Sequence, residues 1–292
     1  MVYLSDERLI HVISVKRQAH ALATSNDQAL ASGVAKGTVL DDAGVTSERR
    51  GALLILTIGR EERRNALDRA TSAALDAAVD GGERDPDVSV IILTATGERA
   101  FCSGMDMKEA AAFGPGAGLI PGRGFGGITE RRRTKPLIAA VNGAAVAGGF
   151  EIALACDIVI AADHATFALA EVRHGLFAFA GGIQRLARMV PRQTALALVL
   201  TGEPIGAARM FELGLVSEVV PRAELRARAV AVGETIAGYA QDAVRNAKLL
   251  HDLAADAAID DSLRFGRAWG EATLGSDVTR AGIAAFAEAK RT

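Results

Sequence analysis

An α/β fold is predicted from three features of the 292-residue chain. Between about residues 52 and 162, apolar runs of strand length alternate with segments of helical spacing. Glycine pairs and Gly/Pro clusters mark the junctions between them. From about Ala207 onward the pattern is almost wholly helical, broken only by Val216–Val220. Alternating strands and helices favour βα units around a buried sheet.

Residues 1–47 mix polar, small and charged residues with weak periodicity, and read as a poorly ordered or loosely docked extension. Ala52–Ile58 is a continuous apolar run and the first strand. From about Asp68 to Val79, apolar residues recur at helical spacing and predict the first helix. Val88–Thr96 is a second buried strand, ended by Gly97. Residues 114–127 hold seven glycines and two prolines, which predicts a mobile loop. Strand Leu137–Val141, the Gly148-Gly149 turn, a helix containing Glu151, and strand Asp157–Ala162 follow. No internal repeat is visible.

The chain is 50% hydrophobic, enough for one large domain or two unequal ones. A formal net charge of −2 provides no field suited to nucleic acid. Cys102 and Cys156 lack CxxC spacing and sit among apolar neighbours, so both read as core residues, and a reducing cytoplasm is expected. The histidines are scattered, and no metal site is expected. The short apolar run Leu9–Val15 leads to no small-residue cleavage pattern. Pro136–Ala162 is apolar enough to test as a membrane span. It contains Asn142, Glu151 and Asp157, and an acidic residue at a bilayer centre costs about 2.5–3.5 kcal/mol. A buried strand–turn–helix–strand unit is the better reading.

Two glutamates stand out within these apolar stretches. Glu151 is flanked by Phe150 and Ile152, and Glu171 by Ala170 and Val172. A carboxylate in such surroundings has a raised pKa or a function. Upstream, Ser103-Gly104-Met105 joins a strand to the helix-favouring run from Met107, and Gly148-Gly149 makes a second such junction. Glycine there lets backbone N–H groups point outward near the positive end of a helix dipole. Two such groups converging on one oxygen would stabilise an enolate. The same glycines could serve only tight strand packing, but together with two glutamates they favour acid/base chemistry in an apolar pocket.

A family resemblance rests on several stretches in order: Leu56–Arg60 with Arg64-Asn65-Ala66-Leu67, Ala100–Lys108, Lys135–Gly143 and Gly148–Asp157. Gly181–Leu186, Leu200–Glu203, Gly214-Leu215-Val216 and Ala285–Glu288 complete it. On these the chain resembles the crotonase (enoyl-CoA hydratase/isomerase) superfamily from about Glu48 onward, with the carnitinyl-CoA dehydratase-like branch nearest in pattern. The resemblance implies a crotonase-like ββα spiral core over 48–206 and a helical C-terminal trimerisation region over 207–292. The implied assembly is a homotrimer or a dimer of trimers. It also implies an acyl-CoA thioester substrate, coenzyme A being part of that substrate and no separate cofactor being needed. Nucleic acid and membrane are not expected partners.

By that resemblance the thioester oxygen is held by the N–H groups of Met105 and Gly148. Glu151 activates water for the β-carbon and Glu171 protonates the α-carbon. Further substrate contacts are implied from Arg63, Ala66, Ser103, Asp106, Met107, Lys108, Gly149 and Phe179. Phe286 and Lys290 are implied to approach a neighbouring subunit's CoA. Keeping both glutamates favours hydration or dehydration. The alternatives on the same scaffold are an enoyl-CoA isomerase, an acyl-CoA hydrolase, or a non-catalytic acyl-CoA-binding homologue. Three positions depart from the family pattern. Ala147 stands for the first of three glycines, Ala170 for a proline, and Ala178-Phe179 for a Pro-Gly or Pro-Asp pair, with Phe179 expected to narrow the acyl pocket. Arg131-Arg132-Arg133 reads as a solvated helix face or as a CoA-phosphate contact. His174, three residues after Glu171, reads as structural or as orienting that glutamate.

Overall fold

The computed structural model describes residues 39–41, 43–114 and 116–289, which belong to one compact unit. Thirteen strands are described: β1 Val39–Asp41, β2 Val45–Arg50, β3 Leu53–Ile58, β4 Val90–Ala95, β5 Ala100–Cys102, β6 Leu119–Ile120 and β7 Gly124–Phe125, then β8 Leu137–Val141, β9 Ala144–Val146, β10 Ile158–Ala162, β11 Thr166–Ala168, β12 Ile205–Gly206 and β13 Glu218–Val220. The helices are α1 Arg69–Arg84, α2 Met107–Phe113, α3 Gly148–Ala155, α4 Gly182–Met189, α5 Arg192–Thr201, α6 Ala207–Glu212, α7 Leu225–Ala237, α8 Gln241–Ala254, α9 Ile259–Leu274 and α10 Asp277–Ala289.

The large sheet runs in the order β1-β2-β3-β4-β8-β10-β13, parallel from β3 to β13 with an antiparallel hairpin at its edge. A second sheet runs β12-β11-β9-β5. Each long central strand passes within a few residues into a short strand of this second sheet: β4 into β5, β8 into β9, β10 into β11. A helix or helical turn follows each pair, so the core is a spiral of ββα turns. The repeat escapes the sequence because it is one of backbone path, with different side chains on every turn. Gly143 makes one corner possible, since a Cβ there would come 2.6 Å from the Glu98 carbonyl oxygen.

Several expectations change at this level. The boundary expected at residue 47 falls inside β2, whose Val45 is buried against the sheet, so the core begins earlier; residues 1–38 lie outside the described residues. The first helix starts behind Asp68, whose carboxylate accepts the Thr71 N–H at 2.8 Å, but continues past Gly81-Gly82 to Arg84. Gly82 packs so closely under Leu54 that a Cβ would sit 2.7 Å from it. The buried Lys135 ammonium donates to the carbonyls of Gly82 and Asp85 and holds that helix end.

The stretch 207–237 also belongs to the core: β13 joins the large sheet, and α7 buries Leu225, Ala229 and Val230 on it. Residues 116–127 are an ordered hairpin, β6 against β7, with Gly126 N–H bonded to the Gly118 carbonyl and Phe125 buried. Positive φ at Gly122, Gly124, Gly126 and Gly127 lets the chain turn at each of these positions, and Gly118 lets it pack on the ring, since a Cβ there would come 2.4 Å from Phe125. The three arginines form neither a helix face nor an anion site. Arg131 pairs with Asp76 and Asp80, Arg133 bonds the Ala155 and Ile128 carbonyls, and only Arg132 is exposed.

Candidate active site

The site forms where two strand-to-helix corners meet. After β5, the chain turns at Gly104. Leu67 donates its N–H to the Gly104 carbonyl at 2.8 Å and accepts the Asp106 N–H at 2.9 Å. In such a parallel bridge Met105's own N–H and carbonyl point away from Leu67, and Met105 lines the cavity. Gly104 has φ 91, and a Cβ on it would lie 3.2 Å from the Gly148 nitrogen, so the two corners are in close approach.

Helix α3 opens the second corner. A Cβ on Gly148 would come within 2.5 Å of the Phe125 ring, and one on Gly149 would fall on the Cys102 carbonyl oxygen. Only glycine fits either place. Ala147, just before them, takes φ 52 and ψ −126, a conformation that costs a residue with a Cβ. First-turn N–H groups have no helical acceptor and carry the positive end of the helix dipole. Gly148 therefore presents a donor beside the Met105 turn.

One turn into α3, Glu151 is 3% exposed, and its Oε1 accepts the Gly182 N–H at 2.9 Å. Burial raises its pKa, opposed by the backbone N–H groups of Gly182 and Ala180 and by the Arg185 charge. Glu171 sits on the 3-10 turn Ala170–His174 that follows β11. Its Oε2 is buried without a hydrogen-bond partner among the described residues. Burial pushes Glu171 up to about 7; its own backbone N–H pulls the other way, and the Glu151 charge adds to the rise. Two carboxyl groups thus share a cavity of about 170 Å³. One is seated on backbone donors and the other is held near neutrality, an arrangement that separates a base from an acid.

The structure brings Met105, Gly148, Glu151, Glu171, Ser103, Met107 and Phe179 to this one cavity. Others on the expected contact list do not line it. Asp106 spends its carboxylate on capping α2 through the Lys108 and Glu109 N–H groups and on Arg60, which also pairs with Asp68. Ala66 is buried with its carbonyl accepting from Arg60, and Gly149 is buried beneath Cys102. Arg63 and Lys108 are exposed outside the cavity. Phe286 falls in α10 with its side chain outside the described residues, and Lys290 lies outside them altogether. His174 lines the cavity and is exposed.

Sequence reasoning missed Phe125, Leu119 and Phe177 as lining residues. The signal for Phe125 was a lone aromatic in a glycine-rich run. Phe177 and Phe179 stack edge to face, with ring centroids 5.9 Å apart. The Cys102 and Cys156 thiols are pushed up to about 12 by burial, in keeping with core residues. Among the described residues no group of His, Cys, Asp and Glu could hold a metal ion, and no helix is long and apolar enough to cross a membrane.

A ββα spiral that sets two carboxyl groups beside outward backbone N–H groups in an apolar cavity defines an acid/base enzyme of the crotonase type. Comparison with known proteins agrees. Residues 48–292 match the enoyl-CoA hydratase/isomerase family, and the chain belongs to it. It is 37% identical over 252 residues to a probable mitochondrial enoyl-CoA hydratase of Dictyostelium discoideum, covering 85% of this chain and 88% of that one. It is 36% identical over 221 residues to the carnitinyl-CoA dehydratase of Escherichia coli K12, covering 75% and 84%. Among solved structures, an enoyl-CoA hydratase from Mycobacterium tuberculosis H37Rv superposes with a TM-score of 0.80 at 38% identity, covering 85% of this chain and 96% of that one.

Proposed function

We propose that this protein is an enoyl-CoA hydratase-type lyase. It adds water across the 2,3 double bond of an acyl-CoA thioester, or removes it in reverse. The observation that carries the reading is the contrast between Glu151 and Glu171 on one cavity, beside the Met105 and Gly148 corners.

In the forward direction the thioester oxygen lies between the Met105 and Gly148 N–H groups, where negative charge develops as the enolate forms. Glu151, seated on the Gly182 N–H, takes a proton from water as the oxygen attacks the β-carbon. Glu171, with a pKa of about 7, is substantially protonated at neutral pH and delivers its proton to the α-carbon. Dehydration runs the same proton transfers backwards. Losing one of two such backbone donors typically costs about 2.7–4 kcal/mol of transition-state stabilisation, the scale on which the Met105 and Gly148 corners matter. Coenzyme A enters only as part of the substrate. Arg63 and Lys108, exposed and cationic, are proposed to meet its phosphates.

A homotrimer or dimer of trimers is proposed as the assembly. Leu249, Ile259, Leu263, Leu274 and Ile283 are exposed on α8, α9 and α10, an apolar supply that self-association would cover. In such an assembly Phe286 and Lys290 would approach a neighbour's CoA. A cytoplasmic location is proposed from the two unpaired cysteines.

The test is a panel of 2-enoyl-, 3-enoyl- and 3-hydroxyacyl-CoA substrates followed by mass spectrometry. Gain or loss of one water supports the lyase. An isomer of unchanged mass would point to an isomerase, and free CoA to a hydrolase. Glu151→Gln and Glu171→Gln are each expected to lower kcat by about 10²-fold or more while CoA-thioester binding survives. Wild-type turnover in either variant would sink the two-carboxyl mechanism.

A further inference from the structure

One guanidinium lies behind both halves of the site without touching the cavity. Arg185 is on α4, one turn after Gly181, whose φ is 103. A side chain on Gly181 would collide with Arg185 Nη1, so the arginine folds back over its own entry turn. The next residue of that turn, Gly182, donates to Glu151 Oε1 at 2.9 Å. Arg185 Nη2 donates to the Thr129 carbonyl at 2.5 Å. Thr129 Oγ1 in turn accepts the Phe125 N–H at 2.8 Å, and the Phe125 ring lies against Gly148. A single side chain thus connects the seat of Glu151 to the ring that covers the first turn of α3.

We infer that Arg185 is a positioning residue for the acid/base chemistry, setting the Glu151 carboxylate and the Phe125 cover over Gly148 together. The inference rests on Glu151 acting as a base, as proposed above. The groups facing Glu151 are Arg185 from α4 and Glu171 from the 3-10 turn after β11. Arg185 itself is faced by Arg133 and Glu130 from the segment after β7, by Glu151, and by Cys156 at the end of α3. Burial and Arg133 push its pKa down, yet a guanidinium keeps its charge at any working pH. That charge draws the acidity of Glu151 back toward the ordinary range, against the desolvation that raises it.

The experiment compares Arg185→Met and Arg185→Lys with wild type by two readouts. One is the pH dependence of kcat/KM. The other is the carbon-13 titration of the Glu151 carboxyl in protein labelled at glutamate side chains, assigned with Glu151→Gln. In Arg185→Met the acid limb and the Glu151 titration should both move up by about one pH unit, with kcat lower by about tenfold. Arg185→Lys, which keeps the charge and loses the planar fork, should hold the wild-type limb and recover only part of kcat. If Arg185→Met does not fold, Arg185→Gln, neutral and polar, replaces it. An unchanged Glu151 titration in the neutral variant overturns the inference, as does an equal displacement in the lysine variant. A wild-type protein that hydrates no enoyl-CoA would refute the hydratase reading alone, because the carbon-13 titration needs no turnover.

Discussion

The two sides of the active-site cavity are built in opposite ways. On one side, α3 is buried along its whole length, its first two glycines are required by close contact, and Glu151 is seated on a backbone N–H. On the other, the 3-10 turn of Glu171 leads into Arg173–Phe177, all exposed, and one carboxyl oxygen of Glu171 has no partner among the described residues. The same residue type therefore takes two characters. The tightly packed side fixes one carboxyl in place, as the proposed base requires. The looser side leaves the other with a raised pKa, as the proposed acid requires, beside Phe177 and Phe179, which are 62% and 47% exposed.

The largest effect that would break this contrast lies on the packed side. Gly149→Ala puts a methyl on the Cys102 carbonyl, where backbone cannot yield cheaply. A loss of about 3 kcal/mol in urea unfolding is expected; a loss below about 1 kcal/mol would mean that the corner is not close-packed.

A middle-sized effect tests the looser side. The Glu171 carboxyl is raised from 4.5 to about 7 in the folded protein, so the native state holds its proton longer than the unfolded chain does. Its contribution to stability is full below about pH 4.5 and is lost as pH rises through about 7. Glu171→Gln should therefore be more stable than wild type at pH 8, by about 1–2 kcal/mol after discounting for its partial exposure. The gap should close near pH 4.5. Denaturant unfolding at the two pH values reads this directly, and a gap of equal size at both would refute it.

The smallest expected effect sharpens the contrast by locating strain on the packed side. Ala147 holds φ 52 and ψ −126 at the entry to α3. Ala147→Gly should raise stability by about 0.5–1 kcal/mol, strain relief outweighing the extra freedom of glycine in the unfolded chain. A lower melting temperature in that variant would show that the alanine methyl packs more than it strains.

Much of this was legible in sequence where local chemistry left one choice. Strands β3, β4, β8 and β10 read as apolar runs, helical spacing from about Asp68 marked α1, and the Gly104 and Gly148-Gly149 corners stood out. Glu151 and Glu171 were conspicuous because a carboxylate amid apolar residues has few explanations. Phe125 was not legible, since a glycine-rich run reads as a loop until its hairpin pairing and the packing of Gly118 on the ring are seen. The capping role of Asp106 was not legible, because capping and ligand binding call for the same residue type. The arginine triplet was misread because its partners, Asp76 and Asp80, lie about fifty residues away in sequence.

By itself, then, the sequence determined the alternation of strands and helices, the glycine corners and the presence of two carboxyl groups in apolar surroundings. Short-range sterics and hydrophobic periodicity act within a few residues and need no partner. Only the tertiary structure decided which carboxyl is seated and which is left with a raised pKa. It alone brought Phe125 over Gly148 and set Arg185 against both the Gly181 turn and the Thr129 carbonyl. Those outcomes depend on desolvation and on hydrogen bonds across 31 and 56 residues of chain, from Glu151 to Gly182 and from Thr129 to Arg185. No local pattern encodes such distances, because one partner of each bond, the Gly182 N–H and the Thr129 carbonyl, is a main-chain group of a kind that nearly every residue carries.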